Sequence, residues 1–226
     1  MSLVLGLLGG MGPAATVDFL AKLQALTPAE RDQDHIRVLV DLNPQAPDRN
    51  TDSTAAGLEL ADMAQGLAGA GAEVLAIACN TAHAHARDVQ QAAGLPLIDM
   101  IECAAGEAQA TGEQRVGVLG TKQALRLYHE HLAARGLSAV FLPAERQAAF
   151  MDLLYRIKGG DLGDDVRTGM RALAQDLVAA GARTLIAGCT EVPLVIGPQD
   201  LGCPLIDSSA ALARRCVAVC KGWERL

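Results

Sequence analysis

Short continuous apolar runs alternate with longer amphipathic stretches along the chain. A run that is apolar without alternation reads as a strand buried on both faces, as in a parallel sheet. Such runs lie at 3–8, 36–42, 74–78 and 97–98, then again at 116–119, 139–142, 184–187 and 204–206. Helical stretches separate them at about 14–26, 53–69, 82–93, 122–134, 145–158 and 164–180, and a terminal helix starts at Ser208. Pro13 suits a first helical turn, and Ser53 or Thr54 suits a cap. Alternating strands and helices predict right-handed βαβ units with mainly parallel sheets, which bind ligands at the carboxyl ends of their strands. Those ends carry the 9–13 turn, Arg49, Cys79, Thr121 and Cys189.

The pattern occurs twice. Ala70-Gly71-Ala72, an apolar run and Cys79-Asn80-Thr81 correspond to Ala180-Gly181-Ala182, an apolar run and Cys189-Thr190-Glu191. The cysteines are 110 residues apart (189 − 79), close to half of a 226-residue chain. Leu5-Gly6-Leu7-Leu8-Gly9 matches Val116-Gly117-Val118-Leu119-Gly120, and Leu95-Pro96-Leu97-Ile98-Asp99 matches Cys203-Pro204-Leu205-Ile206-Asp207. Three landmarks in one order predict two copies of a single fold unit. The expected fold class is α/β, with two pseudo-symmetric parallel-sheet domains and the active site in the cleft between them.

Composition narrows the chemistry. Half of the residues are hydrophobic but only 3% are aromatic, so the core is built by helices packing closely on sheets. The net charge of −7 and the lack of a basic run argue against nucleic acid or an anionic membrane as partner. No stretch approaches a membrane span, and the N-terminal apolar run lacks the flanks of a signal peptide. The six cysteines form no Cys-x-x-Cys pair, so free thiols in a cytoplasmic protein are expected.

Cys79 and Cys189 each follow a strand and precede a short polar segment, read here as opening a helix whose amides would stabilise a thiolate. Such a thiolate serves as nucleophile, metal ligand or proton acceptor. A small core residue is the competing reading, weakened because the two positions are equivalent in the repeat. Cys103, Cys203, Cys216 and Cys220 lack that setting and read as packing. Two opposed thiols suit racemisation, which removes the Cα proton from one face and returns a proton to the other. Arg49, on a Pro-rich loop, suits a carboxylate held through two parallel hydrogen bonds. Lys158 fits either a ligand role or a favourable place at a helix end. Asn80, Thr81 and Thr190 suit a carboxylate, and Glu191 either orients a substrate ammonium or caps a helix. His83 and His85, like His129 and His131, are spaced wrongly for a metal pair on one helix face and read as surface or core-edge residues. The glycines at 6, 9, 10 and 12 depart from a dinucleotide fingerprint, although Asp41 stands near a strand end.

The segments Gly9-Gly10-Met11-Gly12-Pro13, Pro47-Asp48-Arg49, Ala78-Cys79-Asn80-Thr81 and Gly188-Cys189-Thr190-Glu191 resemble the aspartate racemases of the aspartate/glutamate racemase superfamily. The Pro-Asp-Arg loop and Tyr155-Arg156-Ile157-Lys158-Gly159 are similar to its aspartate racemase branch. The resemblance implies racemisation of aspartate, with glutamate as the alternative, by Cys79 and Cys189 without pyridoxal phosphate, metal or other cofactor. It implies substrate binding by Met11, Arg49, Asn80, Thr81, Thr121, Lys158, Thr190 and Glu191. It also implies that the C-terminal helix packs back on the first domain, giving domains of 1–99 plus 207–226 and 100–206. The expected partner is a small dicarboxylic amino acid, and the expected assembly a homodimer. Hydantoin racemisation, maleate isomerisation and a catalytically silent dicarboxylate-binding protein are the rival readings.

Overall fold

The computed structural model describes residues 2–226. It divides into two compact units, one made of the chain up to Met100 together with Ser209–Leu226, the other of Ile101–Ser208.

The first unit contains β1 (Leu5–Gly9), α1 (Pro13–Leu26), β2 (Val38–Leu42), α2 (Ser53–Gly69), β3 (Val74–Ile77), α3 (Ala86–Ala93) and β4 (Leu97–Ile98). Its strands are all parallel, in the order β2-β1-β3-β4. The chain continues through α4 (Met100–Ala110), β5 (Arg115–Gly120), α5 (Lys122–Ala133), β6 (Ser138–Val140), α6 (Ala144–Lys158), α7 (Asp164–Ala179), β7 (Thr184–Gly188) and β8 (Leu205–Asp207). These strands pair in parallel in the order β6-β5-β7-β8, the same permutation as in the first unit. A last helix, α8 (Ser208–Cys220), returns to the first unit, where the Leu3 N–H donates to the Cys220 carbonyl at 2.9 Å.

The central strands β1, β3 and β7 are buried at every residue, which is why their sequences are apolar without alternation. The repeat extends to individual contacts. A Cβ on Gly6 would lie 2.8 Å from both Ala72 Cβ and Leu75 Cδ2, and one on Gly117 would lie 2.4 Å from Leu185 Cδ2 and 3.0 Å from Ala182 Cβ. Each glycine leaves room for the chain that closes the preceding repeat helix. There Ala72 N–H donates to Leu67 O and Ala182 N–H to Leu177 O, both at 3.0 Å. Gly117→Ala is therefore expected to destabilise the protein by about 1–3 kcal/mol through overpacking. A lowered urea midpoint would show it, and an unchanged midpoint would refute this account of the glycine.

Three local features differ from the sequence reading. α4 was not anticipated. Its buried face is built from Ile101, Ala104, Ala105 and Ala108, and so many alanines give a weak periodic signal. α2 is capped by Asp52, whose side chain accepts from Ala55 N–H at 3.1 Å, rather than by Ser53 or Thr54. The segments after the two cysteines also diverge. Thr81–His85 forms a 3-10 turn before α3, whereas Cys189 is followed only by short 3-10 turns at Val192–Leu194 and Pro198–Asp200. Pro193, Gly197 and Pro198 keep that second segment out of an α-helix. Among the described residues no helix is long and apolar enough to cross a membrane.

Candidate active site

In the first unit, the loops after β1, β2 and β3 leave the carboxyl ends of three adjacent strands. Gly10 has φ +90°, and a Cβ there would lie 2.3 Å from the Asn43 backbone, so the loop after β1 presses on the loop after β2. Thr16 fixes that turn, accepting from Gly10 N–H at 2.9 Å and donating to Gly12 O at 3.1 Å. This places the Met11 carbonyl against Arg49. Arg49 is 6% exposed, and its guanidinium donates to Pro47 O at 2.9 Å, Ala46 O at 3.4 Å and Met11 O at 3.4 Å. Among the described residues its Nε has no hydrogen-bond partner. A buried cation whose partners are carbonyls rather than a carboxylate is suited to an anionic ligand. Cys79 is buried at the end of β3 and shares a cluster with Met11, Ala46 and Ala82. Asn80 and Thr81 follow it, also buried.

In the second unit, Cys189 follows β7 and is 6% exposed. Its S–H donates to Glu191 Oε2 at 3.0 Å, and the Thr190 hydroxyl donates to the same oxygen at 3.3 Å. Lys158, at the end of α6, brings Nζ to 3.5 Å from Glu191 Oε1. The structure thus joins three sequence-predicted residues around the buried carboxylate of a fourth, Glu191. Glu191 makes no side-chain cap on the 3-10 turn that follows, so the capping alternative fails. Thr121 is the N-cap of α5, its hydroxyl accepting from Ala124 N–H at 3.3 Å, which fixes the helix start at the carboxyl end of β5.

The proposed helix-amide setting of the thiols needs correction. α3 begins at Ala86, well beyond Cys79, and no α-helix follows Cys189 before α8. The group bonded to the Cys189 thiol is the Glu191 side chain instead. Two buried polar residues near the strand ends were missed. Gln147, buried on α6, donates to Gly120 O at 2.9 Å and so ties α6 to the end of β5. His83, read as a surface or core-edge residue, is buried beside Cys79. Its position four residues after the cysteine, the reach of one helical turn, was the available signal. His85 contacts the Ser53 hydroxyl and His131 pairs with Glu102.

All six cysteines carry thiols rather than disulfides. Burial pushes the Cys203 thiol up, and burial with the nearby Glu73 charge raises Cys220 to about 11. Both therefore stay protonated at neutral pH, as packing residues do.

The sequence matches the Asp/Glu/Hydantoin racemase family over residues 8–216. The chain belongs to that family. Among racemases of this kind, it is 28% identical to the broad specificity amino-acid racemase RacX of Bacillus subtilis (strain 168), over 98% of this chain and 100% of that protein. It is 32% identical to the glutamate racemase of Synechococcus sp. (strain CC9605), over 63% of this chain and 54% of that enzyme, about half its length. The solved structure of Picrophilus torridus aspartate racemase superposes with a TM-score of 0.80 at 26% identity, covering 97% of this chain and 94% of that one. The two four-stranded parallel sheets with flanking helices are the racemase family's two-domain α/β fold.

Proposed function

We propose that the protein is a cofactor-independent racemase of an acidic amino acid, interconverting L- and D-aspartate, with Cys79 and Cys189 as its acid and base. The observation that carries this reading is the equivalence of the two cysteines, each at the carboxyl end of the third strand in its unit's chain order. Racemisation needs one such group for each face of Cα, with the roles exchanged between directions. Membership of a racemase family supports the reaction type. The buried Arg49 guanidinium supports a dicarboxylate over a neutral side chain.

The mechanism follows from the protonation that the hydrogen bonds imply. Cys189 donates to Glu191 and so carries a proton, which makes it the acid in the direction that starts from this state. Cys79 as thiolate then removes the Cα proton, and Cys189 protonates the resulting carbanion on the other face. The product state leaves a Cys189 thiolate next to Glu191, two negative groups that Lys158 helps to balance. Arg49 binds the second carboxylate, while Asn80, Thr81 and Thr190 hold the α-carboxylate.

The test uses purified protein, L-aspartate and heavy water, with no additions, and separates the enantiomers. D-aspartate should appear with deuterium at Cα from the first turnovers, because the donating thiol has exchanged with solvent. The remaining L-aspartate should keep its protium early in the reaction. Absence of D-aspartate would sink the aspartate assignment, and D-aspartate that retains protium would sink the two-thiol mechanism. Activity should persist after treatment with chelator and with hydroxylamine.

A further inference from the structure

Both nitrogens of His83 are engaged with the main chain. Nδ1 lies 2.8 Å from the Cys79 carbonyl, and Nε2 lies 3.0 Å from the Met100 amide nitrogen. A carbonyl only accepts and an amide N–H only donates. The ring is therefore neutral, with its proton on Nδ1 donated to Cys79 O and its Nε2 lone pair taken by Met100 N–H. The side chain is 1% exposed, and the nearest carboxylate oxygen, on Asp99, is 4.0 Å from Nε2. Such a ring has no nitrogen left for proton transfer or metal binding. The other cysteine is supported differently: the Cys189 carbonyl accepts from the Val192 main-chain N–H at 3.1 Å.

We propose that His83 is a positioning residue for Cys79 alone: it clamps the Cys79 peptide to the first residue of α4 and thereby fixes the direction of the thiol. The proposal rests on the racemase reading for its kinetic consequence. Without the clamp, the Cys79 carbonyl loses its partner in a buried site, and the peptide turns to find another. A thiol displaced by about 1 Å loses on the order of 10²-fold in rate. Cys189 has a backbone clamp and is not affected.

The experiment compares His83→Gln with His83→Asn. The asparagine amide nitrogen sits near the place of Nδ1, so it retains a donor for Cys79 O. The glutamine amide reaches the place of Nε2 and retains only the link to Met100. Both enantiomers of threo-3-chloroaspartate, which keeps the second carboxylate, are followed for chloride elimination, which needs a single base. Cys79→Ser and Cys189→Ser variants identify which enantiomer each thiol serves. His83→Gln should lower kcat for the Cys79-served enantiomer by about 10–100-fold with KM little changed. It should leave the Cys189-served enantiomer at the parent rate, and His83→Asn should recover most of the loss. An equal loss for both enantiomers, no loss for either, or no difference between glutamine and asparagine would overturn the proposal.

A second readout does not depend on turnover. Alkylation of Cys79 and Cys189 by iodoacetamide, resolved by peptide mass spectrometry, should change in ratio in His83→Gln and be restored in His83→Asn. If the parent protein eliminates no chloride, the racemase reading fails and the alkylation ratio alone decides the role of His83. An unchanged ratio then overturns it.

Discussion

Replacing either Cys79 or Cys189 with serine is expected to lower aspartate racemisation by about 10²–10⁴-fold, the contribution of one positioned acid or base. Serine keeps the approximate size of the side chain and can donate a hydrogen bond, so Cys189→Ser preserves the contact with Glu191. What it loses is acidity: a hydroxyl of ordinary pKa is a poor base at neutral pH. Both cysteines are buried, at 5% and 6% exposure, yet the exchange is nearly isosteric, so the fold should persist with an unchanged circular dichroism spectrum. The variants should differ from one another in one respect. Each retains the base for one face of Cα, so each should still eliminate chloride from one enantiomer of a β-chloro substrate. The two should have opposite enantiomer preferences. Full racemase activity in either variant, or the same preference in both, would refute the two-thiol mechanism.

The duplication was legible because it acts on strands whose residues have little choice. Gly6 and Gly117 meet equivalent leucines and alanines, and any side chain there would collide with the chain that leads into the cysteine strand. Such positions leave the same letters in both halves. The buried central strands likewise could hold only apolar residues. α4 was hidden for the opposite reason, since its buried face is mostly alanine, which is as common in loops and exposed helices as in a core. The surroundings of the thiols were less legible still. The Cys189–Glu191–Lys158 arrangement joins a strand end to the end of a helix more than thirty residues earlier, and only tertiary packing brings those together. The His83 clamp combines a local contact, to Cys79, with a contact to Met100, which comes only after α3 and β4. The helix-amide expectation failed because one motif, a cysteine followed by small polar residues, precedes two different backbones. In one half Ala-rich sequence continues into α3. In the other, Pro193 and Pro198 forbid the helix.

Arg49→Ala is expected to lower kcat/KM for aspartate by about 10²–10⁴-fold, since each hydrogen bond to a charged group contributes about 1.5–3 kcal/mol and a carboxylate takes two. Among the described residues the buried guanidinium donates only to carbonyls of Ala46, Pro47 and Met11, leaving Nε for a further acceptor. A cation kept out of water without a carboxylate costs several kcal/mol, a cost that ligand binding offsets. Alanine removes an expensive buried charge along with three donors to loop carbonyls, so stability should change by no more than about 1 kcal/mol while turnover collapses. Arg49→Lys should recover part of the activity, because it restores the charge but not the planar fork. Specificity is the sharper measurement. The parent should racemise aspartate and not alanine, which lacks the second carboxylate, and Arg49→Ala should remove that discrimination by losing aspartate rather than by gaining alanine. If the parent racemises alanine as well as aspartate, Arg49 does not select the side chain. The protein would then be functionally nearer to the broad specificity racemase of Bacillus subtilis than to an aspartate racemase.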